Sequence, residues 1–252
     1  MLTEQERYTT PTDWSKYRLL DRMLARAGLS TGTCCCEIGC GTGIFLSELE
    51  KRGFRAVGID TSEEAIRIAS GRFRSSELIS VKNQTIDSLK DKFDAVFMFE
   101  VLEHVGEDQK LLKHISGDLL KDGGAFFISV PAKQRLYSKA DKHYGHLRRY
   151  EKKDLKEKLE KAGLTPVIFW SFGLLPVHLI CQHLLFRGFY ERNKRNDDAA
   201  SRTKDSGILK FPGIWKALYP VASRFYEAIL FIEKAFLNAD IGYSYLVYCR
   251  KK

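Results

Sequence analysis

Three glycines at alternate positions follow a short apolar stretch and an acidic residue. The segment CCCEIGCGTG, residues 34–43, carries Glu37, Gly39, Gly41 and Gly43. Because glycine accepts backbone conformations that other residues avoid and leaves no side chain in the way, this spacing predicts a tight loop beneath a ligand. Asp60 closes the next apolar stretch 17 residues beyond Gly43, where a carboxylate can accept hydrogen bonds from both hydroxyls of a ribose. The pattern predicts a nucleoside-binding site.

Two kinds of nucleoside ligand fit such a loop. A dinucleotide favours a further glycine at the position where this chain has Ile44. Glu37 would also repel a pyrophosphate, whereas it suits a ligand that carries an amino group and a sulfonium. These residues therefore favour S-adenosylmethionine over a nicotinamide dinucleotide.

A second group of polar side chains comes from two segments further along the chain. The segment EVLEH supplies Glu100, Glu103 and His104, and YGHLRRY supplies His146. If the chain turns into a helix at Glu100, the first three side chains share one helix face. Two carboxylates and two imidazoles can hold a divalent cation, Mg²⁺ or Zn²⁺, with positions left open for substrate oxygens. Two other interpretations stay open: His104 as a general base, and His104 in a purely structural role.

Alternating apolar and amphipathic segments must position these groups. Residues 13–27 form an amphipathic helical pattern that Gly28 ends. Further strand patterns are TCCCEIG, RAVGID, LISVKNQTI, FDAVFMFEV, GGAFFISV, TPVIFWSFG and GYSYLVYCRKK; further helical patterns are GIFLSELEKRG, SEEAIRIASGRF, EDQKLLKHISGDLL and EKKDLKEKLEKAG. Strands that alternate with helices at this spacing predict an α/β fold with a parallel sheet and helices on both faces.

The six cysteines are not expected to form a metal or redox site. Cys34, Cys35 and Cys36 are adjacent, so on a strand they point to opposite faces and act as small buried hydrophobic residues. We expect reduced thiols.

Four segments together resemble the class I S-adenosylmethionine-dependent methyltransferases. EIGCGTG, GID, FDAVFMFEVLEHV and LLKDGGAFFISVP occur in this order, and the resemblance covers roughly residues 31–163. It implies a Rossmann-like, seven-stranded, mostly parallel sheet whose last strand is antiparallel. Many relatives bind the adenine with an aspartate where this chain has Thr85 or Ile86. The resemblance implies the following cofactor-binding residues: Glu37, Gly39, Cys40, Gly41, Gly43, Asp60, Thr61, Thr85, Ile86, Phe99 and Glu100.

EVLEHV and YGHLRRY resemble the EVLEHV and later Gly-x-His segments of the O-methyltransferases of ubiquinone biosynthesis, the group closest in motif pattern. They are also similar to segments of metal-dependent methyltransferases of small RNAs. This similarity implies Glu100, Glu103, His104 and His146 as metal ligands, and His104 and His146 as catalytic residues. The expected reaction is O-methylation of a small or lipid-linked hydroxylated substrate. An N-methyltransferase is the second expectation, and a non-catalytic partner subunit that binds S-adenosylmethionine is the alternative from another class.

Charge and hydropathy divide the chain into four expected parts. A capping helix spans residues 1–30, and the cofactor-binding core spans 31–171 with a lid loop at 132–150. A helical, basic and aromatic insertion spans 172–237, and the final strand of the core spans 238–252.

The net charge is +9, and the segment from Ala132 to Arg195 holds 15 Lys and Arg against 6 Asp and Glu. Such a segment attracts anions, or is simply a solvated helix face. Two interpretations of the insertion stay open: contact with an anionic membrane surface, or a cap over the substrate pocket or a homodimer contact. Nucleic acid is not an expected partner, since no RNA-reading module is visible. The N-terminus lacks a secretory pattern, so we expect a cytoplasmic protein, either free or peripheral at the inner face of the membrane.

Overall fold

The computed structural model describes residues 11–174 and 231–252. Within them seven strands form one sheet: β1 Cys34–Ile38, β2 Arg55–Asp60, β3 Ile79–Asn83, β4 Phe93–Phe99, β5 Leu120–Pro131, β6 Leu164–Leu174 and β7 Gly242–Lys251. The helices are α1 Pro11–Ala27, α2 Ile44–Lys51, α3 Glu63–Arg72, α4 Asp108–His114, α5 Lys139–Tyr144 and α6 Lys152–Lys161. The strands and helices alternate as the sequence predicts.

The sheet has the order β3-β2-β1-β4-β5-β7-β6. The strands β1 to β5 pair in parallel, while β7 runs antiparallel to both β5 and β6. The expected seven-stranded α/β sheet with an antiparallel last strand is therefore confirmed. The order reverses between β1 and β4, and open parallel sheets bind ligands beyond the carboxyl ends of the strands at such a point.

One face of the sheet carries a ladder of aromatic rings across three strands. Phe97 of β4 stacks on Phe127 of β5 with ring centroids 4.8 Å apart, and Phe127 stacks on Tyr248 of β7 at 4.9 Å. The same residues are register partners in the sheet, so the period of two in each strand brings the rings together. Helices α1 and α2 cover this face, where Leu20 and Leu46 are buried in the same core.

The opposite face of the sheet packs against α4 and α6. Val96 and Met98 point to this side, one position out of step with the aromatic ladder. Leu112 of α4, together with Leu155 and Leu159 of α6, is fully buried against them. The apolar run FDAVFMF thus forms a central strand that is buried on both faces, as parallel strands generally are.

The helix expected over EDQKLLKHISGDLL forms over nearly its whole length, but it changes type. The α-helical part, α4, ends at His114, and a wide π-helical turn continues over Ile115–Leu119. Leu120 already belongs to β5, where it pairs with Phe93 of β4. The helical segment therefore ends one residue before the predicted limit, because Leu120 has an extended backbone.

The segment 132–150, expected to be a lid loop, contains regular structure. A 3₁₀ turn spans Gln134–Leu136, and α5 follows with a capping box formed by Ser138 and Asp141. Gly145 ends α5 in a left-handed conformation with φ 78°. We keep the name lid for residues 132–150.

The charged face of α6 supports the solvated interpretation of its lysines. Lys153 and Lys161 both lie near Glu157, at 3.9 and 3.8 Å, and Lys156 lies 3.9 Å from Glu160. Exposed pairs at this spacing contribute a few tenths of a kcal/mol each. The basic run on α6 is therefore largely offset within its own helix.

The predicted insertion, residues 172–237, falls mostly outside the described residues. The proposed division of the chain into four parts is therefore kept as a proposal. Among the residues that the structure describes, no helix has the length and apolar character needed to cross a membrane.

Asp108 is a buried acidic residue that joins α4, the lid and α6. Its carboxylate accepts hydrogen bonds from Arg148 at 3.0 Å, Tyr150 at 3.0 Å and Lys158 at 2.8 Å, although only 4% of the residue is exposed. Burial alone would raise the pKa of Asp108, but the hydrogen bonds from Lys158 and Tyr150 and the charge of Arg148 hold it below its usual value. The ionised form therefore stabilises the fold.

Replacing Asp108 by Asn should lower the free energy of unfolding by about 2–3 kcal/mol at pH 7, since a buried charged acceptor is lost. The folded-state pKa lies below the unfolded one, so this stabilisation is complete above about pH 5 and is lost as the pH falls. Denaturant unfolding of both proteins at pH 7 and pH 3 measures the difference. A difference that grows toward pH 3 would contradict the role of the ionised carboxylate.

Candidate active site

The glycine loop between β1 and α2 keeps a left-handed backbone at three positions. Gly39, Gly41 and Gly43 have φ of 73°, 50° and 77°. A side chain at Gly39 would collide with Val101, whose Cγ2 lies 2.4 Å from the position of an added Cβ, and one at Gly43 would collide with Phe73 at 2.6 Å. At Gly41, no atom of the residues that the structure describes lies within 4 Å of an added Cβ. Gly41 therefore borders open space at the switch point of the sheet, as a loop beneath a ligand must.

Glu37 at the end of β1 is buried beside this loop. Only 4% of the residue is exposed, and its Oε2 has no hydrogen-bond partner among the described residues. Desolvation raises the pKa of Glu37 well above its usual value, against the nearby positive charge of Lys16, and the charge of Asp60 raises it further. A buried acceptor without a donor suits a ligand that brings a positively charged donor.

Asp60 at the end of β2 holds the loop in place. Its Oδ2 accepts a hydrogen bond from the backbone N–H of Gly41 at 2.9 Å, and its Oδ1 accepts one from Ser62 at 2.8 Å. A carboxylate has about four acceptor positions, so both oxygens keep capacity for the hydroxyls of a ribose. Asp60 thus stabilises the loop by a direct hydrogen bond and can also bind the expected ligand.

The other residues that are expected to bind the cofactor differ in how exposed they are. Thr61 and Thr85 are exposed and Ile86 is half-buried at the edge beyond β2 and β3. The thiol of Cys40 is buried, and its Sγ lies 2.9 Å from an added Cβ on Gly58, so we assign this side chain to packing of the loop. The five cysteines of the described residues are free thiols.

The turn after β4 is not the helix that the sequence suggested for Glu100. Glu100 has a left-handed φ of 53°, and a 3₁₀ turn begins only at Leu102 and ends at His104. Glu100 therefore cannot share a helix face with Glu103 and His104, and its Oε1 accepts a hydrogen bond from Ser129 at 2.7 Å. A strained non-glycine residue at the edge of a site indicates a functional constraint.

Three of the four expected metal ligands come together. Glu103, His104 and His146 offer one oxygen and two nitrogens that all lie within 4.8 Å of one another. Ligands about 2.1 Å from one ion lie at most about 4.2 Å apart, so a small approach of the side chains would complete a site. Glu100 does not belong to this group.

Glu103 is the acidic member of the cluster, and it is fully buried. Neither carboxylate oxygen has a hydrogen-bond partner in the described part of the chain. Burial and the neighbouring charge of Glu100 raise the pKa of Glu103 well above its usual value. The donor set of one carboxylate and two imidazoles therefore fits Zn²⁺ and, with water or substrate oxygens added, Mg²⁺ or Mn²⁺.

The two imidazoles have defined tautomers. The Nδ1–H of His104 donates to the carbonyl of Gly145 at 3.2 Å, and the Nδ1–H of His146 donates to Asp141 at 2.9 Å. The rings meet edge to face with centroids 4.9 Å apart. Burial and the neighbouring His146 lower the pKa of His104 to about 4, so its Nε2 carries a free lone pair at neutral pH.

The sequence patterns did not predict two residues that lie near the site, Lys16 and Ser129. Lys16 of α1 is buried, with its Nζ 5.0 Å from the centre of the Phe99 ring, and its positive charge acts on both Glu37 and Glu103. Ser129 on β5 fixes Glu100. A lysine on the apolar stripe of the 13–27 pattern was the available signal for Lys16; for Ser129 the only signal was a hydroxyl near the end of an apolar strand.

Comparison with known proteins places these features in a wider group. A family model described as a methyltransferase domain matches residues 8–168. The ubiquinone biosynthesis O-methyltransferase of Coxiella burnetii is 36% identical over 98 residues, which make up 37% of this chain and 42% of that protein. The chain therefore spans about two fifths of the length of that relative.

Two solved structures share the fold. A candidate sarcosine dimethylglycine methyltransferase of Galdieria sulphuraria superposes with a TM-score of 0.63 at 15% identity, covering 97% of this chain and 91% of that one. The magnesium protoporphyrin IX methyltransferase of Synechocystis PCC 6803 with bound SAH gives 0.51 at 20% identity, covering 62% and 75%. At these identities the likeness concerns the fold.

The ligand-free protein should become more stable when Glu37 is replaced by Gln. The folded-state pKa of Glu37 lies above the unfolded one, so ionisation destabilises the fold increasingly as the pH rises above about 4.3. We expect a gain of about 1–2 kcal/mol in the free energy of unfolding at pH 8 and almost none at pH 4. Denaturant unfolding at both pH values measures it. A variant that is less stable than the wild type at pH 8 would mean that Glu37 is well compensated.

Proposed function

Because the chain belongs to the methyltransferase-domain family, we propose that it transfers the methyl group of S-adenosylmethionine to an oxygen of a small or lipid-linked hydroxylated substrate. The observation that carries this proposal is the open side of Gly41 between Asp60 and the unpartnered oxygen of Glu37. S-adenosylmethionine brings a ribose, an ammonium and a sulfonium, which are the groups that these residues would hold.

The residues around the loop divide the cofactor between them. Glu37 would accept from the ammonium of the methionine half, and Asp60 from the ribose hydroxyls. Thr85 and Ile86, at the edge beyond β3, would border the adenine. Lys16 is a buried cation whose charge acts on both Glu37 and Glu103, and it would face the carboxylate of the methionine half.

Methyl transfer from a sulfonium is an in-line displacement, so the protein's main task is to align donor and acceptor and to exclude water. A hydroxyl acceptor must also lose its proton. A side chain with a pKa near 4, as for His104, is a poor base for this purpose when it acts alone. The cluster therefore favours shared proton acceptance or a bound cation.

We propose a divalent cation held by Glu103, His104 and His146, with Glu100 outside the ligand set. The geometry supports it, since the three ligand atoms lie within 4.8 Å of one another and neither oxygen of Glu103 has a hydrogen-bond partner among the described residues. A cation at this place would lower the pKa of a hydroxyl that binds to it. The Nε2 atoms of His104 and His146 would bind the cation, since their Nδ1 atoms are held by Gly145 and Asp141, and the lid would keep water away.

Oxygen is favoured over nitrogen as the acceptor atom for two reasons. An O-methyltransferase of ubiquinone biosynthesis is among the relatives with local identity to the chain, and a neutral amine needs no proton-accepting cluster of this kind. For an amine acceptor, replacing His104 by Asn would leave turnover largely intact; for a hydroxyl it would abolish turnover while SAH still binds.

A non-catalytic partner subunit is the candidate from a different class. Two features speak against it: the residues expected to bind the cofactor, Glu37, the loop glycines and Asp60, are all present, and a second buried cluster lies beside the cofactor loop. A subunit that only binds partners has no need of that second cluster.

The predicted insertion, with its basic and apolar residues, would select the acceptor. It would do so either as a cap over the pocket or as a contact with an anionic membrane surface. A homodimer contact is the third proposal for it.

The Gly41→Ala variant should lose affinity for SAH. The added methyl group points into open space, which the proposal assigns to the cofactor. We therefore expect the dissociation constant for SAH, measured by calorimetry, to be at least about tenfold larger. The left-handed backbone itself costs an alanine about 1 kcal/mol of stability.

Gly123→Ala is the matched control for this variant. Gly123 has a φ of 71° and also has no atom within 4 Å of an added Cβ, but it lies on β5 away from the loop. It should destabilise the fold to the same extent and bind SAH like the wild type. Equal affinities in the two variants would remove the cofactor from Gly41.

Addition of Mn²⁺, Zn²⁺ or Mg²⁺ should raise the midpoint of thermal unfolding, because a ligand that binds the folded state stabilises it. The Glu103→Gln variant keeps the shape of the side chain and loses the charge, so the shift should disappear. Thermal scans with 1 mM of each ion, before and after a chelator, are the measurement.

His114→Asn controls for binding of metal at another histidine–carboxylate pair. His114, the last residue of α4, pairs with Asp118 of the π turn at 2.7 Å and does not belong to the cluster, so its removal should leave the shift unchanged. If none of the three ions shifts the wild type, or if Glu103→Gln responds as the wild type does, the cation has no place in this cluster.

A further inference from the structure

We infer that Asp141 is a positioning residue that fixes the imidazole of His146 so that its Nε2 faces Glu103. The observation is the hydrogen bond from the Nδ1–H of His146 to Oδ1 of Asp141, 2.9 Å long, with the Nε2 of the same ring 3.9 Å from the Glu103 carboxylate. The orientation stands on these contacts alone, and only its use in holding a cation rests on the proposed function.

Asp141 itself has almost no freedom to move. It is 1% exposed and accepts hydrogen bonds from the Nε of Arg149 at 2.9 Å and its Nη2 at 3.0 Å. The backbone N–H and the hydroxyl of Ser138 donate to the same carboxylate at 2.8 and 3.0 Å. A paired Arg–carboxylate fork is strong and fixes geometry in a plane.

The fork connects the lid to the sheet. Arg149 donates to the hydroxyl of Tyr243, the second residue of β7, and its guanidinium lies 4.2 Å from the centre of the Tyr243 ring. The backbone carbonyl of His146 also accepts a hydrogen bond from Tyr137 at 2.7 Å. The orientation of His146 is therefore determined from β7 through Arg149 and Asp141.

The chemical consequence concerns the tautomer of His146. A carboxylate without a proton can only accept, so it forces the proton of a neutral imidazole onto Nδ1 and leaves the lone pair on Nε2. An asparagine in place of Asp141 would turn an N–H group either toward His146, which favours the Nε2–H tautomer, or toward Arg149, which breaks the fork. In neither orientation is a single tautomer of His146 still enforced by a fixed carboxylate, even where the fold survives.

The test compares Asp141→Asn with Asp108→Asn. Asp108 is a matched control, because it is also a buried lid-linked carboxylate with three partners, including Arg148 next to Arg149, but it has no hydrogen bond to His146. Long-range ¹H–¹⁵N spectra of histidine-labelled protein, assigned with His146→Asn, report which ring nitrogen carries the proton. Titration with Mn²⁺ gives the affinity of the cluster.

We expect the Nδ1–H tautomer at His146 in the wild type and in Asp108→Asn, and a mixed or Nε2–H tautomer in Asp141→Asn. Mn²⁺ affinity should fall by about 10- to 100-fold in Asp141→Asn and by less than about twofold in Asp108→Asn, with SAH binding unchanged in both. The Nε2–H tautomer in the wild type would overturn the inference, even if Asp141→Asn fails to fold. So would equal losses in the two variants.

The outcomes separate this inference from the proposed function. If the tautomer responds as expected but no ion binds the wild type, the cation proposal fails and the positioning role stands. If the ions bind and Asp141→Asn changes neither the tautomer nor the affinity, the positioning role fails and the cation proposal stands.

Discussion

Two carboxylates buried at the carboxyl edge of the sheet impose the constraint on which the rest of the site depends. Glu37 ends β1 and Glu103 follows β4, and both have oxygens without a partner among the described residues. Removing an ionised carboxylate from water costs several kcal/mol unless a cation or donors replace the water. Lys16 offsets part of this cost for both groups. The edge therefore has room for further positive charge, and this property, more than any single distance, gives it the character of a binding site.

The fold can hold such unfavourable groups because the strands beneath them are anchored on both faces. Phe97 stacks with Phe127 on one side, while Val96 and Met98 are fully buried on the other. Large buried aromatic and aliphatic side chains contribute about 1.5–3 kcal/mol each relative to exposure. The apolar alternation of β4 thus stabilises the strand from which the turn at Glu100 begins.

The sheet was predictable from the sequence, and the details of the site were predictable only in part. The alternation of strands and helices is local information, so the strand spans agree with the patterns, and the resemblance supplied the antiparallel β7. The approach of His146 to Glu103 and His104 also followed from the motifs. The helical placement of Glu100 was wrong, because its conformation depends on Ser129, which is 29 residues away and both donates to its carboxylate and accepts from its backbone. The place of Lys16 on the apolar stripe of α1 was a local signal, but the groups that its charge reaches, Glu37 and Glu103, depend on how α1 packs.

The lid shows how a local signal can acquire a role in the site. The Ser138-x-x-Asp141 spacing is a helix-start pattern, and Gly145 is a common helix stop; together they account for α5 without reference to any ligand. Yet the carboxylate of the capping box is also the acceptor for His146, and the carbonyl of the terminating glycine is the acceptor for His104. The two ends of one short helix therefore orient both imidazoles. A lid that failed to form α5 would release both rings at once, so the geometry of the cluster and the folding of this helix are a single event.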